Sequence, residues 1–103
     1  MEFSRRKWGQ YLTLIAKRHF KVKLLYFKSG LSCSMQRHSH RRELWCFLFG
    51  YGIFSTDKDT LPVCTGDSVE ADKLQWHQYK ALSNTLVLEI QTGTCVESDI
   101  ERK

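Results

Sequence analysis

Apolar and polar residues alternate in short runs along this chain, and each run ends in a turn signal. In "HFKVKLLYF", Phe20, Val22, Leu24 and Tyr26 share one face while Lys21 and Lys23 take the other. That period of two predicts a strand, with both lysines directed to solvent if the apolar face turns inward. "KSG" ends the run, and "LSCSMQRHSH" follows as a polar strand. "ELWCFLFGYGIF" is β-prone and apolar on both faces, with Glu43, Trp45, Phe47 and Phe49 on one of them. After the turn "STDKD" come "TLPVC", the turn "TGDS", and the short runs "SVEA" and "LQWHQY". "NTLVLEIQTG" is the last strand. Short strands at this regular spacing predict an all-β sandwich or barrel. One segment departs from the pattern. Trp8, Tyr11, Leu12 and Ile15 fall at helical spacing, so local periodicity predicts a helix over residues 5–18. Against it stand Thr13, a poor helix former, and Gly9, which costs about 1 kcal/mol inside a helix.

Composition narrows the class. A chain of 103 residues with 42% hydrophobic and 13% aromatic content is one globular domain with a single core. Cys33, Cys46, Cys64 and Cys95 are widely spaced without a C-x-x-C pair, which argues against a tetra-cysteine zinc site or a disulfide framework. Cys46, inside an apolar run, reads as a buried thiol. "YLTLIA" is too short for a secretory signal and is stopped by Lys17 and Arg18, and no run is long enough to span a bilayer. A reducing cytoplasm is the expected compartment.

Charge is uneven. Residues 1–30 hold eight Lys/Arg and one acid, Glu2, for a net +7, whereas the rest of the chain is net −2. Such asymmetry points to an anionic partner, a phosphorylated small molecule or nucleic acid, or else to a solvated basic face. The aromatic residues follow core alternation and form no separate stacking surface, which argues against nucleic acid.

The candidate chemistry lies in "SMQRHSHRRELW". Taken as a strand, Gln36, His38 and His40 share a face, with neighbours about 7 Å apart. A tight turn through Arg41 and Arg42 brings Glu43 beside His38. An amide, one or two imidazoles and a carboxylate make a mixed N/O ligand set with open positions, suited to Zn, Mn, Fe, Co or Ni. The plainer reading is a polar loop with two surface histidines. His77, in "KLQWHQY", favours the metal: a site built from two distant β-segments needs such a ligand, although a histidine between aromatics is also a common core residue.

The spacing is similar to the cupin signature, G-x5-H-x-H-x4-E-x6-G followed by G-x5-P-x-G-x2-H-x3-N. Gly30, Gln36, His38, Glu43 and Gly50 fit the first motif without a gap, with glutamine in place of the first histidine. Gly66 and His77 fit the second, while Asp72, Leu74 and Ala81 replace its proline, glycine and asparagine. The chain more specifically resembles the C-terminal cupin domain of type II mannose-6-phosphate isomerases, from about Lys7 to Arg102. "KWGQYLTL", "FKVKLLYFKSG", "SMQRHSHRRELW", "GDSV" and "LEIQTGTCVESDIER" match that family's motifs in order.

The resemblance implies a double-stranded β-helix (the cupin jelly roll) in a single domain. Residues 1–18 would form an N-terminal arm or edge strand, 19–92 the barrel and 93–103 a C-terminal tail. On this resemblance the helix over 5–18 is wrong or covers only part of that segment. It implies Gln36, His38, Glu43 and His77 as ligands of a divalent metal, with His40 as a spare ligand or the catalytic base. Arg41 and Arg102 would attract a sugar phosphate, since guanidinium forks match phosphate oxygens. Lys21 and Lys23 lie in a family strand from which one faces the site. Leu44 replaces a histidine that follows the glutamate in the family, and these residues include no nucleotidyltransferase domain.

The implied activity is metal-dependent aldose–ketose isomerisation of a mannose-6-phosphate-type sugar. One alternative is a small accessory cupin that binds metal or sugar without turnover, with the apolar run at 44–49 serving a homodimer. Another is a dioxygenase-type cupin using His38, Glu43 and His77.

Overall fold

The computed structural model describes all residues, Met1–Lys103, and contains strands and no helix. The strands are β1 (Glu2–Arg6), β2 (Gly9–Ala16), β3 (Phe20–Phe27), β4 (Gln36–Arg37), β5 (Arg41–Phe49), β6 (Tyr51–Thr56), β7 (Thr60–Cys64), β8 (Ser68–Ala71), β9 (His77–Ala81), β10 (Thr85–Gly93) and β11 (Glu101–Arg102). They form two antiparallel sheets, ordered β1-β2-β3-β10-β5-β8 and β11-β4-β9-β6-β7. This is a jelly roll: the two sheets face each other and enclose the core.

The segment with helical spacing is a β-hairpin. β1 and β2 pair from Glu2↔Thr13 to Arg6↔Gly9, and β2 continues onto β3. Tyr11 and Thr13, two apart, are the buried residues of β2, whereas Ile15 is exposed. The helical spacing of Trp8, Tyr11, Leu12 and Ile15 thus mixes residues from both faces of a strand. Gly9 begins β2 because a Cβ there would meet the carbonyl oxygen of Tyr26.

The apolar core is Tyr11, Leu25, Phe27, Cys33, Trp45, Phe47, Phe54, Val63, Ala71, Tyr79, Ala81 and Val87, with the partly buried Trp8 and Val69 packed against it. Phe27 stacks on Trp8 with centroids 4.2 Å apart and meets Tyr79 edge-on at 4.9 Å. Glu43, Trp45 and Phe47 share the inner face of β5 as expected, but Phe49 is exposed. The register of β10 against β5 slips between Leu86 and Val87, which drops Phe49 off that face. Cys46 faces the other way and is half-buried rather than buried, and all four cysteines are unpaired.

β3 inverts the simple expectation. Lys21, Lys23, Leu25 and Phe27 point into the molecule, so both lysines are buried and neither goes to solvent. The strand is where alternation predicts it; its phase is set by a polar interior at one end of the barrel. The loop before β9 keeps the shape that a glycine usually provides. Leu74, at the glycine position of the second motif, has φ 62°, and its amide donates to the His38 carbonyl at 2.7 Å. Gly66 turns the chain between β7 and β8 with φ 93°.

Candidate metal centre

Three strands supply the polar end of the barrel. β5 directs Glu43 inward, β9 begins with His77, and His38 follows β4. All three side chains are buried, and a potential ligand atom from each lies within 4.8 Å of the others. His38 Nε2 is 3.0 Å from Glu43 Oε2, and His77 Nε2 is 3.3 Å from Glu43 Oε1.

The far nitrogen of each ring fixes this geometry. His38 Nδ1 is 2.7 Å from the Asp99 carbonyl and His77 Nδ1 is 3.1 Å from the Gln75 carbonyl. A carbonyl only accepts, so each Nδ1 carries the proton and donates it. Both Nε2 atoms are thereby turned toward the carboxylate, an outer-sphere arrangement typical of metal-binding histidines. A nitrogen lone pair beside a carboxylate oxygen is repulsive unless a proton or a cation lies between them. His77 Nε2 is buried and has no aligned hydrogen-bond partner. The donor set, two Nε2 and one carboxylate with an orphaned nitrogen, therefore fits a divalent metal.

Arg41 supplies a positive charge from the protein itself. Its Nε and Nη2 donate to Glu43 Oε2 at 3.0 and 2.9 Å, and Nη2 is 3.3 Å from His38 Nε2. Trp45 Nε1 donates to Glu43 Oε1 at 3.1 Å. Burial alone would push the Glu43 carboxyl up, but where no metal is held, a second proton on each ring, between Nε2 and the carboxylate, lets bonding and charge from His38 and His77 outweigh burial and hold the group well below the usual carboxylate range.

Of His38, Glu43 and His77, Glu43 lines a cavity of about 140 Å³ whose wall also carries Gln36, Arg41, Lys23, Glu89 and Arg102. Gln36 stands opposite His77 in the β4–β9 pairing. Arg102 reaches the mouth, where its Nη1 donates to Ser34 Oγ at 3.0 Å. His40 is not brought to the site. Its side chain is exposed in the bend before β5, and its backbone N–H binds the Asp99 carboxylate at 2.8 Å. Leu44 alternates with Glu43 and Trp45 and lines an outer groove with Glu70 and Ile90, so a histidine at that position would face away from the cavity.

Several site residues escaped sequence reasoning. Glu89, on β10, is fully inside and accepts from Gln91 Nε2 at 2.8 Å. Burial and then the charge of Glu43 push its carboxyl up to about 8. An acid between Val87 and Gln91, on the inner phase of a strand, is the signal that would have found it. Glu97 takes both buried lysines, Lys23 at 2.7 Å and Lys21 at 3.2 Å. Burial opposes its ionisation, but the lysines outweigh burial and bring its carboxyl down to about 2. Asp99 accepts from the backbone N–H groups of Ser39 and His40, tying the C-terminal segment across the site. No local pattern reveals these contacts, which span about 60 residues or more of sequence.

Known proteins are similar to this chain in sequence or in fold. The alginate biosynthesis protein AlgA of Pseudomonas putida is 29% identical over 100 residues, covering 94% of this chain and 21% of that protein. The xanthan biosynthesis protein XanB of Xanthomonas campestris pv. campestris is 28% identical over 100 residues with the same coverage. The chain thus spans about a fifth of the length of these relatives. The solved structure of KdgF from Halomonas sp. superposes with a TM-score of 0.82 at 13% identity, covering 92% of this chain and 90% of that one, a likeness of fold. Residues 2–103 match the family described as mannose-6-phosphate isomerase C-terminal, and the chain belongs to that family of cupin domains.

Proposed function

We propose that this chain is a metal-dependent aldose–ketose isomerase domain acting on a phosphorylated sugar of the mannose-6-phosphate type. The observation that carries the reading is the convergence of His38 Nε2, His77 Nε2 and the Glu43 carboxylate on one buried point beside a polar cavity. His38, Glu43 and His77 would hold the ion, with Gln36 beside them. A divalent ion there would polarise the sugar's carbonyl and hydroxyl oxygens and stabilise the negative charge that develops during enolisation.

The chain's own residues have the remaining tasks. Trp45 and Arg41 orient the Glu43 carboxylate. Isomerisation removes the proton at C2; its electron pair forms the C1–C2 double bond while the C1=O pair moves onto O1, which takes up a proton to complete the enediol. The proton then returns at C1 as O2 gives up its hydrogen and becomes the ketone. This transfer needs a side chain on the cavity wall. Glu89 lines the cavity and exposed His40 does not, so we assign the transfer to Glu89. Trp45 and Phe27 close the cavity on its apolar side and limit water.

The test is a coupled isomerase assay on mannose 6-phosphate with added divalent metal. Turnover should appear with metal, vanish with chelator, and be lost in His38→Ala and Glu43→Gln. Metal binding without turnover would overturn the enzyme reading in favour of a binding module. Two histidines and a carboxylate are also the ligand set of non-haem iron oxygenases. Oxygen uptake with Fe(II) and no isomerisation would favour that chemistry instead.

A further inference from the structure

The three candidate ligands are held by different means. Glu43 lies inside β5, which is hydrogen-bonded to β10 on one side and β8 on the other. His77 opens β9, and its Nδ1 donates to a carbonyl two residues away. His38 lies outside any strand, in the bend between the two-residue β4 and β5. No sheet ladder fixes its backbone, yet its ring is buried. A ligand on such a bend needs restraint from elsewhere, because affinity depends on its donor atom being already in place.

Most of that restraint comes from one residue of the C-terminal segment. The His38 carbonyl accepts from Leu74 N–H at 2.7 Å and the His40 carbonyl from Thr94 N–H at 2.8 Å. The two amides between them go to a single side chain. Asp99 Oδ1 accepts from Ser39 N–H at 2.9 Å, and Oδ2 from His40 N–H at 2.8 Å. The backbone carbonyl of the same residue accepts from His38 Nδ1 at 2.7 Å. Successive N–H groups converging on a carboxylate form an anion cradle, and such bonds are stronger than neutral ones. Asp99 thus holds the bend by both carboxylate oxygens and the ring by its main chain.

Asp99 is itself placed from both sides. Its N–H donates to the Val96 carbonyl at 3.1 Å, which Arg41 Nη1 also reaches at 3.3 Å. Beyond it β11 pairs with β4, with Glu101 opposite Arg37 and Arg102 opposite Gln36.

We propose that Asp99 is a positioning residue for the metal ligand His38, fixing the bend that carries the ring and the orientation of the ring itself. The inference rests on the metal centre described above and is independent of the isomerase reaction. It makes the C-terminal segment part of that centre, although Asp99 supplies none of the three ligand atoms.

Two measurements on the full chain test it. The first is calorimetric titration with Mn(II) or Zn(II) of the parent, Asp99→Ala, Asp99→Asn and Glu101→Gln. Asp99→Ala keeps the carbonyl and removes the carboxylate that places it. Glu101→Gln breaks the pair with Arg37 in the same segment without touching His38. Folded Asp99→Ala should bind metal at least about tenfold more weakly, the scale of an outer-shell loss. Asp99→Asn should lose less, because its carboxamide oxygen still accepts from one of the two amides. Glu101→Gln should match the parent. A clamp that served folding alone would lower the melting temperature of Asp99→Ala and leave its metal affinity at the parent value, and that result would overturn the inference. Equal weakening in Glu101→Gln would overturn it too, as a general loosening of the segment.

The second is the exchange of the His38 Nδ1 proton with water, followed by NMR without metal. It should be at least about tenfold faster in Asp99→Ala than in the parent, as the closed bend opens more often. An unchanged rate would overturn the inference whether or not the parent binds metal. A faster rate in a protein that binds no metal would uphold the clamp on His38 and sink the metal centre.

Discussion

The two ends of this barrel are built from the same strands and hold opposite chemistry. β3 runs inward from Lys21 and Lys23 to Leu25 and Phe27, and β5 from Arg41 and Glu43 to Trp45 and Phe47. β10 passes from Val87 to Glu89 and Gln91, and β9 from His77 to Tyr79 and Ala81. The pairings place the changeover at one level: Leu25 and Phe47 face Val87, while Lys21 and Glu43 face Gln91. The dry end supplies hydrophobic burial, about 25 cal/mol per Å² of apolar surface removed from water. The polar end buries charge, which stabilises little by itself and is retained where a site needs it. Trp45 joins the two, with its rings among Phe47, Phe54 and Tyr79 and its Nε1 on Glu43.

The difference predicts where mutations separate stability from binding. Phe47→Ala, at the dry end, should cost about 3–5 kcal/mol in urea unfolding. Metal affinity of the remaining folded fraction should be unchanged; a loss of metal affinity would show that the ends are not separable.

Arg41→Gln, at the polar end, should cost about 3 kcal/mol without metal, because it strips a buried carboxylate of its closest positive partner. Added divalent metal should raise the melting temperature of Arg41→Gln more than that of the parent protein. An equal rise would mean that Arg41 and metal do not serve the same charge.

Leu74→Gly should stabilise the protein by about 1 kcal/mol, because leucine pays to sit in the left-handed region. A loss of stability would show that the exposed leucine contributes something the backbone does not reveal.

Glu97→Gln should have the smallest effect, about 1 kcal/mol near neutral pH once screening of its half-exposed carboxylate is allowed for. Its folded pKa is depressed from 4.5 to about 2, so its contribution is present above pH 4.5 and is lost as pH falls toward 2. Acid unfolding of Glu97→Gln should therefore show a shallower decline across that window than the parent protein.

Much of this was legible in the chain. Strand spacing put forward Gln36, His38, His40 and Glu43, and the resemblance to the cupin signature singled out Gln36, His38, Glu43 and His77; the structure gathers His38, Glu43 and His77 at one buried point. The inverted β3 shows what alternation leaves open: it defines two faces and not which one is inside. Assigning the face of Val22 and Leu24 to the inside of the barrel fails where the interior itself is charged, although Val22 is buried on the outer face of the sheet. The false helix at 5–18 arose because a hairpin with apolar residues on both faces mimics a 3.6 period. His40 shares a sequence phase with His38, yet the bend before β5 turns it to solvent. Leu44 stood at a family position associated with chemistry, and strand phase places it outside. Glu97 and Asp99 were hidden because loop-to-strand contacts of such range leave no local trace.

The central claim is that His38, Glu43 and His77 together bind one divalent ion. Titration calorimetry with Mn(II) or Zn(II), on the parent protein and on His77→Ala, tests it most directly. The parent should bind one equivalent, and folded His77→Ala should bind at least about 100-fold more weakly, the upper scale even for outer-shell losses. A folded parent protein that binds no metal, or a His77→Ala that binds equally well, would contradict it.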